Sequence, residues 1–378
     1  MRNLNVTYIG QLPFPYGPAS SKRRRYMVDY MNDKGIMSHV LVTFHRAKMY
    51  SNPATGIYKN TEFVDISSNI NNFNLSAYYR NGFDALRRWY DSDKKNILIF
   101  HTVMNFMDYP FYLYARKLGY KIVFDVVETS YLKSGIKSIK SYIYYWLNEN
   151  VTSLARKDGI FVISRRLQET NKVTYPKVPL CLLPNSTPIL CIESKQKFHK
   201  PMTVLYAGTY GDKEGVDYLI EGVIAANLSG VACNLTLLGK APDDLIRKYR
   251  GESCVEFSGF VSDNELEEAL VKSDILAMVR TNTEFANFGF PFKLSEYLST
   301  GNVVIATKVG DVAEYLSDKN NAYLIDAESS DAVKSVLCQI ARNETDALAV
   351  ARNGLEVAKT HFAIDRVGKV FAEFLKSI

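Results

Sequence analysis

Short apolar runs alternate along the chain with segments whose apolar positions recur at helical spacing. That alternation marks βαβ units and a parallel sheet, because a crossover helix must carry each strand back beside the last. In the first half it predicts strands at Asn5–Ile9, His39–Phe44, Asn96–Phe100, Lys121–Val127, Gly159–Ile163 and Pro179–Leu183. Helices are expected between them, including Ser21–Asp33, Phe111–Leu118 and a long one from Lys137 to Arg156. In the long helix Ile136, Ile139, Ile143, Trp146, Leu147 and Leu154 form a stripe expected to pack into the core. After Pro184-Asn185 the text turns polar (CIESKQKFHKP), which reads as an interdomain linker over 186–201. A second series then predicts strands at Thr203–Ala207, Cys233–Leu238, Val255–Phe257, Ile275–Val279, Val303–Thr307 and Ala322–Ile325. Its helices are expected at Gly215–Ala226, Asp263–Lys272, Lys293–Ser299, Val312–Ser317 and Ser330–Arg342. The class is α/β: two Rossmann-like domains in tandem with a cleft between them.

Composition narrows the partners more than the fold. The 378 residues are 47% hydrophobic and 23% charged, which excludes a collagen, a disordered tail and a disulfide mini-protein. Residues 1–190 hold 26 Lys and Arg against 13 Asp and Glu, a balance of +13, whereas the rest carries −7. Two domains with different partners are expected. The N-terminal segment MRNLNVTYIGQLPFPYG lacks the apolar core of a signal peptide, and no charge-free apolar run of about 18 residues follows. A cytoplasmic protein without a spanning helix is expected. Five scattered cysteines without a C-x-x-C pair read as reduced thiols, and the histidines lack metal-ligand spacing, so no metal site is expected.

Candidate chemistry gathers in the loops that follow strands, where open parallel sheets bind ligands. The first reads GQLPFPYGPASSKRRRYM. Gly17 would let backbone come close to a ligand, and Ser20 or Ser21 can cap the next helix, whose amino end favours anions. The loop is not the G-x-G-x-x-G dinucleotide fingerprint. Lys22–Arg25 reads as a solvated face or an anion-facing patch, and without base-stacking aromatics nucleic acid is not an expected partner. At two further strand ends, IFHTVMNF and VFDVVETSY place His101 and Glu128, with Asp125 inside the strand. Either residue can accept a proton or hold a hydroxyl; a satisfied strand-end histidine is the plainer reading of His101. In the second half, TVLYAGTYGDKEGVDYLIEGV is strand, glycine turn and helix, with Lys213 beside the turn. In NFGFPFKLSEYLSTGNVVIAT, Lys293 lies one turn ahead of Glu296 at a helix start. Backbone N–H groups of Gly289, Phe290 and Phe292 can cradle a pyrophosphate, and a carboxylate suits ribose hydroxyls. Read plainly, Glu296 is a cap and Lys293 a surface residue.

In their order and spacing these segments, together with IFVISRRL, PNS and FSGFVSDNELEEAL, resemble nucleotide-sugar glycosyltransferases of the GT-B fold, in the retaining group called family 4. The resemblance covers nearly the whole chain. It implies two Rossmann-like domains facing each other across a cleft: an acceptor-binding domain over 1–188, a donor-binding domain over 189–360, and a C-terminal helix over 361–378 packing back on the first. It further implies retaining transfer from a UDP-, GDP- or TDP-sugar to the hydroxyl of a glycan or lipid-linked acceptor, in bacterial surface polysaccharide or lipopolysaccharide assembly. No metal or cofactor is then required, and the leaving phosphate itself helps deprotonate the acceptor.

Carried over residue by residue, the pattern departs in three places. Family members hold two glutamates eight positions apart; Glu296 matches the second, but Phe288 stands eight before it, and Glu284 is the nearest stand-in. Thr209 occupies the place of an arginine after the turn glycine, and the usual lysine is displaced to Lys213, so Lys293 is expected to compensate. Glu128 stands where relatives place a histidine facing the transferred sugar, with His101 beside it. The expected donor residues are therefore Gly17, Thr209, Lys213, Glu284, Gly289, Phe290, Lys293 and Glu296, and the expected catalytic residues Glu128 and His101. Lys133, Lys137 and Lys140 near Tyr142, Tyr144, Tyr145 and Trp146 suit an anionic membrane surface on its inner face. Two other readings stay open: a non-catalytic glycosyltransferase-like subunit and a sugar-nucleotide epimerase.

Overall fold

The computed structural model describes residues 3–17, 19–43, 52–67, 74–101, 103–128, 139–211 and 213–378. The chain divides into two compact units, Met1–Ser186 with Ile364–Ile378, and Thr187–Ala363.

The first unit is built on eight strands: β1 (Leu4–Gly10), β2 (Met37–Val42), β3 (Thr55–Tyr58), β4 (Thr61–Asp65), β5 (Lys95–His101), β6 (Lys121–Val126), β7 (Gly159–Val162) and β8 (Leu180–Leu182). They lie in the order β3-β4-β2-β1-β5-β6-β7-β8, parallel except for the antiparallel pair β3/β4. β1 is buried along its whole length, as a strand covered on both faces must be. At its start the Asn5 side-chain amide donates to the Trp89 carbonyl (2.6 Å) and to Asn96 Oδ1 (2.7 Å), which ties β1 to β5. The hairpin β3/β4 and the helix Leu75–Trp89 are additions to the sequence reading. The hairpin's strands are only four and five residues long and interleave polar side chains, so no apolar run announces them.

One expectation fails here. The stripe on the helix Ile139–Leu154 is not core: Ile139 is 71% exposed, Trp146 53% and Leu154 73%. Ile136 lies outside the described residues. The inward face is polar instead, with Tyr144, Asn148 and Thr152 spaced four apart. Asn105 donates to the Tyr144 hydroxyl (2.9 Å), the Phe106 N–H to Asn148 Oδ1 (2.8 Å), and the Met104 N–H to Thr152 Oγ1 (2.9 Å). The loop beneath presents backbone donors, and buried donors need acceptors more than they need apolar cover.

The helix Ile364–Ser377 completes this unit. Gly368 sits flat against Tyr30, where a Cβ would fall 2.2 Å from the ring, and Phe371 stacks on Phe161 at 5.2 Å.

The second unit holds six parallel strands: β9 (Met202–Ala207), β10 (Cys233–Leu238), β11 (Val255–Gly259), β12 (Ile275–Met278), β13 (Val303–Thr307) and β14 (Tyr323–Ile325), in the order β11-β10-β9-β12-β13-β14. Its helix Asp263–Lys272 begins on a reciprocal capping box between Ser262 and Glu265. The stretch expected as a linker belongs to this unit. Leu190 and Cys191 donate to the Ser299 carbonyl, and buried Asp274 binds Lys195 Nζ (2.9 Å), His199 Nδ1 (2.9 Å) and the Thr203 N–H (2.8 Å).

In both sheets the chain starts at a central strand, builds outward on one side and then crosses to the other. The reversals fall between β1 and β5 and between β9 and β12. At such points neighbouring crossovers diverge and leave a crevice at the carboxyl ends of the strands.

Candidate active site

β9 ends at Ala207, and Gly208 follows with φ +155°. A Cβ at Gly208 would lie 2.8 Å from the Lys293 ammonium, so this lysine, second in the helix Phe292–Leu298, rests directly on the turn. Lys293 donates to Glu214 Oε2 (2.9 Å) and to the Tyr206 hydroxyl (3.1 Å), and lies 4.2 Å from the centre of the Tyr206 ring. Arg280, just past β12, brings Nε to 3.9 Å from Glu214 Oε1. The side chains of Glu214, Arg280 and Lys293 are 4%, 7% and 14% exposed, so all three charges are largely withdrawn from water. Burial alone would raise the Glu214 pKa, but Lys293 and Arg280 outweigh it and hold the carboxyl below its ordinary value. Burial lowers that of Lys293, and Glu214 opposes the fall. Tyr297 fixes the strand end, accepting from the Ala207 N–H (2.9 Å) and donating to its carbonyl (3.2 Å).

Apart from Gly17, which lies in the first unit, the expected donor residues fall into two groups within this unit. Thr209 and Lys293 meet at the Gly208 turn: Thr209 is exposed, and its carbonyl accepts from the Tyr206 hydroxyl. Glu296 is half-buried in the same helix as Lys293, three residues on. Lys213 reaches instead over the Phe285 ring at 5.0 Å, beside the exposed Glu284, which opens the short helix Glu284–Phe288. Gly289 closes that helix, and the Phe290 ring is a core group packed on Tyr315 and Phe362. Tyr206, Glu214 and Arg280 escaped the sequence reading. Glu214 follows Lys213 directly and Arg280 ends a strand at the sheet reversal; the latter position was the available signal.

At the reversal in the first unit, His101 ends β5 against Gly10 at the end of β1. Asp125 on β6 sits in register with His101, and the His101 Nδ1 lies 3.3 Å from its Oδ2. Arg23 grips the same carboxylate with two parallel bonds, Nε to Oδ2 (3.0 Å) and Nη2 to Oδ1 (2.8 Å). The guanidinium also donates to the carbonyls of Leu183 (2.9 Å) and Pro184 (2.8 Å). Burial would raise the Asp125 pKa; the charge of Arg23 and the bond to His101 reverse that and hold it well below the carboxylate range. Glu128 stands two residues past β6, half-buried.

The basic run needs correcting: Lys22, Arg23, Arg24 and Arg25 are all buried, not a solvated face. Arg24 donates to the carbonyls of Leu12 (2.6 Å) and Pro13 (3.0 Å), and burial lowers its pKa to about 10. Arg25 lies against the rings of Tyr16 and Tyr26. Gly17 serves this packing, since a Cβ there would stand 2.3 Å from Ser21 Oγ. Among the described residues no cluster of three His, Cys, Asp or Glu side chains is placed to hold a metal.

Residues 201–343, which contain the Gly208 turn, Glu214, Arg280 and Lys293, match the family model "Glycosyl transferases group 1". The second unit carries a group 1 glycosyltransferase domain. Over 185 residues the chain is 23% identical to the "Putative colanic acid biosynthesis glycosyltransferase WcaL" of Salmonella typhimurium, covering 47% of this chain and 46% of that one. The chain thus spans about half the length of the curated relatives it matches. Solved structures match over nearly all of it. Sucrose-phosphate synthase of Thermosynechococcus elongatus superposes with a TM-score of 0.73 at 13% identity, over 99% of this chain and 98% of that one. Anabaena HepE in complex with UDP-glucose gives 0.69 at 14% identity, over 99% and 100%. These likenesses establish a GT-B-type fold of two parallel-sheet units, the second of which carries the group 1 domain.

Proposed function

We propose that the protein is a retaining glycosyltransferase that moves a sugar from a nucleoside diphosphate sugar to an acceptor hydroxyl during bacterial surface polysaccharide assembly. The observation that carries this reading is the Lys293–Glu214–Arg280 cluster at the sheet reversal of the group 1 domain. A departing diphosphate concentrates negative charge, and fixed cations in a site shielded from water stabilise it strongly. Lys293 and Arg280 supply that charge from the protein, so transfer proceeds without a metal. Glu296 accepts hydrogen bonds from the ribose hydroxyls, and Glu284 and Lys213 border the sugar. In the first unit His101 and Glu128 orient the acceptor, while the leaving phosphate takes its proton. The relatedness to WcaL supports the surface-polysaccharide setting, and HepE with UDP-glucose makes UDP-sugars the first donors to test.

The test is transfer or hydrolysis of UDP-, GDP- and TDP-sugars by the purified protein, with and without a chelator. Turnover that persists in EDTA is expected. Glu296→Ala should weaken donor binding by about tenfold or more, the scale of a lost bidentate acceptor. Unchanged donor affinity in that variant would remove Glu296 from the site.

The acceptor side is proposed to work at an anionic membrane surface, peripherally on the cytoplasmic face. Ile139, Tyr142, Ile143 and Trp146 form an exposed apolar and aromatic face, with exposed Lys140 on its flank. Such a face suits the headgroup boundary of a bilayer. Lys133 and Lys137, expected to join it, lie outside the described residues. Among the described residues no helix is long and apolar enough to cross a membrane. Co-sedimentation with vesicles containing phosphatidylglycerol should exceed that with neutral vesicles, and Ile143→Ser/Trp146→Ser should abolish it. Equal recovery with both lipids would argue against the surface.

A further inference from the structure

A buried carboxylate in a site meant for a diphosphate is a puzzle, because it subtracts charge where charge is needed. The Lys293 side chain is the most exposed of the three and its ammonium rests against Gly208, so a ligand seated on that turn comes within its reach. The groups facing Lys293 are Glu214, the Tyr206 hydroxyl on β9, Arg280 past β12 and Lys213 in the turn. Of the charged groups only Glu214 favours the protonated lysine; burial and both cations disfavour it. An ammonium has three donors. Glu214 and Tyr206 take two of them and leave one to point at a ligand.

We propose that Glu214 is a positioning residue for the donor diphosphate: braced by Arg280, its carboxylate keeps the Lys293 ammonium charged and fixed on the Gly208 turn, and Lys293 contacts the distal phosphate. The inference rests on the nucleotide-sugar reading above. The resemblance to family 4 led to cations in the turn itself, at the places of Thr209 and Lys213. In this chain the cations come from the helix Phe292–Leu298 and from just past β12, and the acid organises them.

The experiment is calorimetric titration of the whole protein with UDP and with UMP from about pH 6.5 to about pH 9, a window in which a buried lysine deprived of its counter-ion titrates. Each variant is read as its UDP-over-UMP preference relative to wild type at the same pH, which cancels titration of the phosphates. Lys293→Met should lower the preference about tenfold at every pH, the scale of a single charge-assisted contact. Glu214→Gln should match wild type at the acid end and lose the preference, again about tenfold, as pH rises. Glu214→Gln/Lys293→Arg should remove that pH dependence, since arginine stays charged throughout. A Glu214→Gln profile parallel to wild type, or an undiminished preference in Lys293→Met, overturns the inference while leaving the donor reading in place. Failure of the wild type to bind any nucleoside diphosphate overturns the donor reading itself. If Glu214→Gln does not fold, Glu214→Asp decides: its preference relative to wild type should fall as pH rises, because the shortened carboxylate withdraws from the Lys293 ammonium. Coincident profiles would sink the idea.

Discussion

Two buried aspartates of the first unit show how far neighbours set the fate of one side-chain type. Asp125 is gripped by Arg23 and stays ionised. Among the described residues Asp108 bonds to neutral partners, the Thr43 hydroxyl (3.1 Å) and the Tyr78 hydroxyl (3.0 Å), and burial raises its pKa to about 7 against their opposing effect. A carboxyl whose folded pKa is raised contributes stability that is complete below its unfolded value near 4 and is lost as pH climbs through 7. Asp108→Asn should therefore raise stability by about 1.5 kcal/mol at pH 5 and by up to about 4 kcal/mol at pH 8. Thermal unfolding at the two values checks this, and an equal shift at both would refute it. Asp125→Asn should instead cost roughly 3 kcal/mol at both, because it strands a buried guanidinium. The sequence placed His101 and Glu128 at strand ends and Asp125 inside a strand, but gave no sign of the Arg23 contact. Arg23 lies 102 positions away in a run that looked solvated. Runs of like charge read as surface because a lone charge cannot be buried; carbonyls and a carboxylate contributed by distant segments are invisible to that rule.

Among the elements, those that follow the apolar-run rule were legible almost to the residue. The helices Asp263–Lys272 and Ser330–Arg342 have the predicted bounds, and every predicted strand has a counterpart. The helix Ile139–Leu154 was misread because its apolar stripe faces out and its polar stripe faces in. Periodicity locates a stripe but not the surface it meets. The inversion has a direct consequence for stability. Ile143→Ser should cost less than about 0.5 kcal/mol, as exposed substitutions usually do. Asn148→Ala should cost about 1 kcal/mol by removing the bond that buried Asn148 accepts from the Phe106 N–H. Denaturant unfolding of the two variants checks the order, and the opposite order would restore the stripe to the core.

At the scale of the whole molecule, the chain leaves its first unit at Ser186 and returns at Ile364, so one unit is continuous and the other is made of two pieces. Two domains were expected because each repeats the strand-helix alternation, whereas the returning helix was expected only from the resemblance. The anchoring of 187–201 was not, since it rests on backbone bonds to Ser299 and on the buried Asp274 rather than on any apolar run. The discontinuity fixes what each unit needs. The last helix sets Gly368 on Tyr30 and stacks Phe371 on Phe161, with Phe374 also 4.8 Å from Phe161. Several fully buried side chains at about 1.5–3 kcal/mol each amount to roughly 10 kcal/mol, comparable to the net stability of a domain. The fragment 1–186 should therefore fail to unfold cooperatively, whereas 187–363, which keeps its whole sheet and Lys293, Glu214 and Arg280, should fold and keep its preference for UDP over UMP. Supplying a 364–378 peptide to the first fragment should restore a cooperative transition whose midpoint rises with peptide concentration, as binding to the native state requires. A cooperative 1–186 that ignores the peptide would mean that the returning helix decorates the first unit without completing it.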